Sequence, residues 1–254
     1  MGWADLRAGA EPVLRDSPAE GDRFGRTVQR MTLPLEFAGD DDAVLAVLDR
    51  ADADVVVLRY PAARVALFAR LLGRGRAALL ADQLDYWRLR VGAGRRPEPR
   101  PDLVVEPAAG GLDSLVDDLV ADIFAGYGNH YLANPLFDPA LALAGYQEWA
   151  RGSARAGGSL VLSLGGFPVA LATTASQGDH REIELAGVRT ERQGQGLYPH
   201  LLAGVEGAAA AAGEESVVIS TQVHNTGVRR AWARYGFEPV ACFSTVHLVR
   251  DGLL

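Results

Sequence analysis

Between Val188 and Tyr198 the chain reads Val-Arg-Thr-Glu-Arg-Gln-Gly-Gln-Gly-Leu-Tyr, with Gly194 and Gly196 flanking a single residue just ahead of an apolar-faced segment. Two glycines let a backbone turn tightly into a helix, and the first amides of that helix have no carbonyl partner. The helix dipole favours an anion at the same place, so the turn is a natural cradle for a phosphate or pyrophosphate. Arg189 and Arg192 add positive charge beside it, and Pro199 fits the first turn because its missing N–H has no helical partner to lose. A Rossmann dinucleotide fingerprint asks for a third glycine where Pro199 stands and for an acid at the far end of the next strand, whereas Glu214 and Glu215 precede that strand. A tight turn with no ligand is the plain structural alternative.

Three other groups of residues have chemistry to offer. On a strand from about Arg181 to Val188, period-two alternation puts Glu182, Glu184, Ala186 and Val188 on one face. Carboxylates on a mostly buried strand are costly unless paired or used, so one of the two, Glu182 or Glu184, is a candidate active-site group. The structural alternative is that Glu182 lies at an exposed strand start and pairs with an arginine. His224 closes the following strand just before Asn225, where a neutral imidazole suits proton abstraction near pH 7 and a solvated strand cap is the alternative. The third group is Tyr127, Asn129, His130, Tyr131 and Asn134, with Tyr146 further on. Its rings can stack on a sugar or nucleobase and its amides can bind hydroxyls, unless they only anchor their own loop.

Composition narrows what these residues serve. All 25 basic residues of the 254-residue chain are Arg, so Schiff-base chemistry and a phosphate-binding lysine are excluded, and anion binding falls to arginines, amides or helix termini. Cys242 is the single cysteine, which excludes an intramolecular disulfide and a thiolate-rich metal site and points to a reducing cytoplasm. No His, Cys and carboxylate group has metal-ligand spacing, so no metal is expected. The net charge of −7 argues against nucleic-acid binding by charge neutralisation. No apolar run approaches the roughly 18–20 residues of a membrane span, and the start lacks the apolar core of a secretory signal.

Hydrophobic periodicity sets out the elements that must position these groups. Gly, Arg and Pro between Gly92 and Pro101 interrupt all periodicity, so the expected division is an α/β domain over 1–92, a linker over 93–102 and a second domain over 103–254. In the first, strands are expected at Met31–Phe37, Val55–Tyr60, Ala77–Leu80 and Leu84–Val91, with helices at Asp41–Arg50 and Ala62–Leu72. In the second, helices at Asp113–Phe124 and Ala140–Ala150 precede strands at Ser159–Leu164, Pro168–Ala175 and Arg181–Val188. A helix at Leu197–Ala212, a strand at Ser216–Val223, a helix at Thr226–Tyr235 and a strand pair around Glu238-Pro239 complete it. The order predicts an α/β or α+β fold with a mixed sheet rather than a long alternating βα series.

Gln193-Gly194-x-Gly196 after a strand ending in Val188, followed by Asn225-Thr226-Gly227-Val228, Trp232 and Gly236-Phe237, resembles the two coenzyme A segments of the GCN5-related N-acetyltransferase (GNAT) superfamily. A thinner likeness extends over most of the chain to the bacterial TDP-fucosamine acetyltransferases. It rests on Asp22-Arg23-Phe24-Gly25, on Phe124 through Tyr131 and Asn134-Pro135 to Tyr146 and Trp149, and on Thr221 to Thr226 and on to Arg250.

The resemblance implies a GNAT fold, a mainly antiparallel mixed sheet flanked by helices, preceded by a smaller α/β domain. It implies a cytoplasmic enzyme that uses acetyl-CoA to acetylate the amino group of a nucleotide-linked deoxy sugar, with a homodimer as the assembly to test. Acetylation of another small amine, such as an antibiotic or amino-acid derivative, and a non-catalytic acyl-CoA-binding module are the alternatives. Carried over, the cofactor ligands are Val188, Arg189, Arg192, Gln193, Gly194, Gln195, Gly196, Leu197, Tyr198 and Asn225, with Trp232 packed beside the cofactor. The acceptor side is His130, Tyr131, Asn134, Tyr146 and Glu184. Two positions depart from the superfamily pattern: Tyr198 stands where Gly or Ala is usual, and Trp232 replaces the tyrosine that commonly supplies the acid. Tyr235, three residues on, is the substitute candidate, beside Glu182 and His224 for the base.

Overall fold

The computed structural model describes residues 2–7, 11–108 and 113–254. In chain order the elements are α1 (Trp3–Arg7), β1 (Leu14–Asp16), α2 (Pro18–Phe24), β2 (Val28–Thr32), α3 (Asp41–Leu48), β3 (Val55–Pro61), α4 (Val65–Leu71), β4 (Arg76–Arg90) and β5 (Leu103–Pro107). They continue with α5 (Asp113–Phe124), α6 (Pro139–Arg155), β6 (Ser159–Leu164), β7 (Phe167–Ser176), β8 (His180–Val188), α7 (Tyr198–Ala211), β9 (Ser216–Gln222), α8 (Thr226–Tyr235) and β10 (Glu238–Arg250). Contacts divide them into two compact units, one of Met1–Asp85, Gly128–Ala142 and Ala241–Leu254, the other of Tyr86–Tyr127 and Leu143–Val240. The units are therefore discontinuous in sequence, whereas the sequence reading has contiguous domains on either side of 93–102.

In the first unit β2 lies parallel to β3, and β1 and β10 are antiparallel to β2 and β3 respectively. The run Val55-Val56-Val57-Leu58 is apolar throughout because both faces of β3 are covered. Val56 and Leu58 pack with Leu45 and Leu48 of α3 and Leu67 and Leu71 of α4. Val55 and Val57 pack on the other side with Phe24 and Phe137. Asp40 caps α3, accepting from the Ala43 amide at 2.9 Å.

The second unit is built on β5, β6, β7 and β8, consecutive antiparallel strands, with β9 added parallel to β8. Val116, Leu119 and Phe124 of α5 and Ala150 of α6 pack on one face against Val161, Leu171 and Leu185. Leu201, Leu202 and Val205 of α7 and Trp232 of α8 pack on the other against Leu162, Ala170, Ile183 and Ile219. Gly187 allows α5 to lie close to β8: a Cβ there would stand 2.2 Å from Cγ2 of Ile123.

The α5, α8, β6, β8 and α7 expectations agree with the structure to within a residue or two. α6 runs on to Arg155 rather than ending at Ala150, α4 begins at Val65 rather than Ala62, and three strand expectations need correction. β2 is Val28–Thr32 rather than Met31–Phe37. The two strands expected at Ala77–Leu80 and Leu84–Val91 are one 15-residue strand. The expected strand pair around Glu238-Pro239 is likewise one strand, because Pro239 falls at the start of β10, where a missing amide is tolerated.

Candidate active site

The site in the second unit begins with an irregularity in β8. Its register on β7 runs from Ala170↔Val188 to Thr173↔Leu185, then shifts to Thr174↔Ile183, which leaves Glu184 as an extra residue. Thr173 compensates, its hydroxyl accepting from the Leu185 amide at 3.1 Å. A bulge of this kind re-aims every side chain beyond it. Ile183 accordingly faces α7 while Leu185 faces α5 and α6, although strict alternation would put them together. The expectation of one face for Glu182, Glu184, Ala186 and Val188 is thus corrected: Ala186 and Val188 pack on the α7 side, and Glu182 lies opposite Ile183, on the α6 side.

The second feature is a gap. Pairing of β8 with β9 runs only from His180↔Ser216 to Ile183↔Ile219, although β8 continues to Val188 and β9 to Gln222. Parallel strands that part in this way leave an edge of backbone N–H and C=O groups able to pair with an inserted amide-bearing chain.

The glycine turn stands at the open end of that gap. A short 3-10 turn, Thr190–Arg192, leads into Gly194 (φ 75°) and Gly196 (φ 73°), both in the left-handed region where glycine carries no steric cost. A Cβ at either would meet nothing within 4 Å, so open space lies in front of them. Among the described residues no acceptor meets the amides of residues 194 to 198, and Leu197 gives α7 no side-chain cap. This is a nest of free amides at a helix start, as an anion requires.

The two arginines beside the turn are otherwise engaged. Arg189 pairs with Asp118 of α5 and donates to the Pro168 carbonyl at 3.1 Å, while Asp122 accepts from the Thr190 amide. Arg189 therefore fastens the turn to α5 and does not stand as free charge. Arg192 is exposed and lies 3.3 Å from Glu191. Gln193 and Gln195 donate their side-chain amides to the carbonyls of Val188 and Glu191, bracing the turn from within.

Around the gap, Trp232 Nε1 donates to the Tyr198 hydroxyl at 3.0 Å, and the Trp232 ring meets Trp87 edge-on. Tyr127 donates to the Gln222 side-chain oxygen and lies 3.1 Å from the Thr221 hydroxyl, which also accepts from Asn225 at 3.2 Å. Asn225 thus braces the end of β9 and opens α8. Burial pushes the Tyr198 phenol above its ordinary value, against the hydrogen bond from Trp232.

Tyr235 is placed differently from the acid role the resemblance assigns it. Its hydroxyl donates to Glu206 at 2.8 Å, and Glu206 also accepts from the amides of Gly92 and Gly94 and from Arg96. Burial and that carboxylate push its phenol up, so the proton stays in a latch between α7, α8 and the segment after β4. His224 is exposed in the turn ahead of α8.

On the α6 side a cavity of about 630 Å³ is lined by Trp149, Ser153, Thr174, Ser176, Arg181 and the bulged Glu184, among others. Trp149 leaves 44% of its surface exposed there, and Arg181 is held by Glu214 at 2.8 Å. Tyr146 is half-buried and stacks on Phe124. Sequence reasoning missed Ser153, Thr174 and Arg181 because nothing in their local pattern announces a pocket wall.

His130, Tyr131 and Asn134 belong to the first unit, in a buried network of their own. His130 Nδ1 lies 3.0 Å from His247 Nε2, and Asn134 lies 3.3 Å from the other ring nitrogen of His247. Burial holds His130 well below the ordinary value and His247 at about 3. Tyr131 donates to Glu20 at 2.7 Å, and burial pushes its phenol to about 12. Burial would raise Glu20, but the hydrogen bonds and charge of Arg30 outweigh it and hold the carboxyl at about 2.

Residues 121–237, which contain the bulge, the gap and the glycine turn, match the model of the acetyltransferase (GNAT) family. A GCN5-related N-acetyltransferase from Sphaerobacter thermophilus shares 17% identity over 89% of this chain and 74% of its own, with a TM-score of 0.58. A tandem GNAT protein from the clavulanic acid biosynthesis pathway shares 13% over 96% and 85%, at 0.57. A GCN5-related glucosamine N-acetyltransferase region of a fungal multi-domain β-N-acetylglucosaminidase shares 11% over 94% of this chain and 38% of that one, at 0.57. No curated protein matches the sequence.

Proposed function

We propose that residues 121–237, which match the GNAT family model, form an acetyltransferase domain, and that this chain moves an acetyl group from acetyl-CoA to the amino group of a nucleotide-linked deoxyamino sugar. The amides of residues 194 to 198 hold the pyrophosphate of acetyl-CoA, and the free edge of β8 pairs with its amide-bearing arm. Bound there, acetyl-CoA supplies an activated acyl group.

The observation that carries the acceptor is the cavity beside the β8 bulge. Trp149 offers an aromatic face, Ser176 a hydroxyl and Glu184 a carboxylate for the incoming ammonium, while Ser153 donates to the Thr174 carbonyl and the Thr174 hydroxyl accepts from Arg181 in the wall behind them. A flat ring beside hydrogen-bonding groups is the chemistry that holds a sugar, and the volume falls in the range of small-molecule sites. The fungal glucosamine N-acetyltransferase region has an amino-sugar acceptor on the same fold. Glu182, buried on the α6 side, is the proposed base that frees the amine of its proton.

Thiol release from acetyl-CoA against a panel of nucleotide-linked amino sugars, free amino sugars and antibiotic amines tests the reading. Release with nucleotide-linked sugars is expected, with KM for that acceptor raised about tenfold or more in Glu184→Gln, as loss of a charged hydrogen bond implies. Release with antibiotic amines alone would sink the sugar assignment, and an unchanged pH–rate profile in Glu182→Gln would remove Glu182 as the base.

A further inference from the structure

Acetyl transfer places negative charge on sulfur. The amine nitrogen bonds to the thioester carbonyl carbon, the carbon–sulfur bond breaks, and its electron pair stays on the sulfur. In a water-poor cleft that charge needs a hydrogen-bond donor. Three of the hydroxyl and indole groups around the gap are committed, and the indole N–H of Trp87, edge-on to Trp232, is buried without a partner among the described residues but stands on β4 rather than on the glycine turn's helix. Tyr235 donates to Glu206, Tyr127 donates to Gln222, and Trp232 donates to Tyr198. Tyr198 is different: its oxygen accepts from Trp232, while its own proton has no acceptor among the described residues.

We propose that Tyr198 donates the hydrogen bond that stabilises the departing sulfur of coenzyme A, and that Trp232 is the residue that positions it. The inference rests on the acetyl-CoA reading above and deepens it. Tyr198 opens α7, so its backbone belongs to the free-amide nest while its ring reaches α8. Tyr127 is bonded to Thr221 and Gln222, beyond the last paired residue of β9, and lies near enough to disfavour ionisation of Tyr198. Tyr198 packs with the core on the α7 face and Tyr127 with that on the α5 and α6 face, so the two phenols lie on opposite faces of the sheet.

An indole N–H pointing at the phenol oxygen fills one of its acceptor sites and turns the hydroxyl proton away from Trp232. Burial keeps Tyr198 protonated throughout the physiological range, so it is always a donor. The proton that neutralises the sulfur is the one lost by the attacking nitrogen, carried through water, and Tyr198 ends the cycle unchanged. An amine and a thioester thus become an amide and a thiol.

The test is the titration of the thiol of coenzyme A bound to the protein, followed by the ultraviolet absorbance of the thiolate. A donor to sulfur favours the thiolate, so the midpoint in Tyr198→Phe is expected about one pH unit above that of the wild type, a tenfold change in the equilibrium. Coenzyme A affinity should stay within about threefold, and kcat should fall on the order of a hundredfold, as on removal of one oxyanion donor. Trp232→Phe should give an intermediate midpoint, because the phenol remains but is no longer held. Equal midpoints in two proteins that both bind coenzyme A would overturn the role of Tyr198 and leave the acetyl-CoA reading intact. Failure of the wild type to bind coenzyme A would overturn both.

Discussion

The two units treat their polar groups in opposite ways. In the first, buried polar side chains satisfy one another: His130, His247 and Asn134 form one chain, and Glu20, Arg30 and Tyr131 another. In the second, Glu206 and Tyr235 are likewise satisfied, but among the described residues five successive amides at the glycine turn meet no acceptor, and β8 beyond Ile183 has no strand paired on its β9 side. Satisfied networks rigidify a core, whereas free groups beside open space await a ligand. The contrast separates residues that look alike in sequence. His130 and Tyr131, aromatic and polar in a loop, serve the core, while Gly194 and Gly196, with no side chain at all, stand before open space in the turn proposed to hold acetyl-CoA.

The largest effect that can sharpen this contrast comes from the turn. Gly196→Trp puts a side chain at φ 73°, which costs about 1–2 kcal/mol in backbone strain, and lays a ring over the free amides. Acetyl-CoA affinity measured by calorimetry should fall by about a hundredfold or more, and unchanged binding would contradict the placement of the pyrophosphate.

Next in size is acid sensitivity of the first unit. Folded His247 stays neutral down to about 3, whereas the unfolded chain takes up that proton near the ordinary 6.5. The unfolded state binds more protons in between, so this stability is fully present above pH 6.5 and is lost as pH falls toward 3. Glu20 adds a loss in the same direction below 4.5, continuing to about 2. Urea unfolding at pH 4.5 should show on the order of 2 kcal/mol less stability than at pH 7.5 from His247. His247→Gln should reduce the dependence, with buried His130 contributing what remains, and an equally steep dependence in the variant would break the account of the network.

Tyr235→Phe gives a smaller effect. It removes one donor to Glu206, which keeps Gly92, Gly94 and Arg96, so stability should drop by about 1 kcal/mol. The kcat should stay within about threefold, and a hundredfold loss would return Tyr235 to the role of acid. Smallest is Arg192→Ala, at an exposed residue paired with its neighbour. It should change acetyl-CoA affinity less than about threefold, as exposed pairs generally do.

Much of this was legible in the sequence where local chemistry decides the outcome. Gly194 and Gly196 are turn residues whatever surrounds them, and the helices Asp113–Phe124 and Thr226–Tyr235 declare themselves by their spacing. What escaped depends on partners distant in the chain. The extra residue at Glu184 is a matter of register between β7 and β8, and period-two reasoning cannot detect it. The return of Gly128–Ala142 and Ala241–Leu254 to the first unit carries His130, Tyr131 and Asn134 into a network with Glu20, Arg30 and His247, residues more than a hundred positions away. Arg189 looked like free charge because Asp118 and Asp122, its partners, lie some seventy residues earlier. Tyr198 and Trp232 each departed from the expected pattern singly, and only the hydrogen bond between them makes the two departures one feature.

Amide hydrogen exchange with and without acetyl-CoA tests the central claim most directly, because it reads the free groups themselves. Acetyl-CoA should slow exchange at residues 194 to 198, Pro199 having no amide, and along residues 184 to 188 of β8, while His130 to Asn134 exchange as before. Binding that leaves residues 184 to 188 and 194 to 198 unprotected would contradict the account.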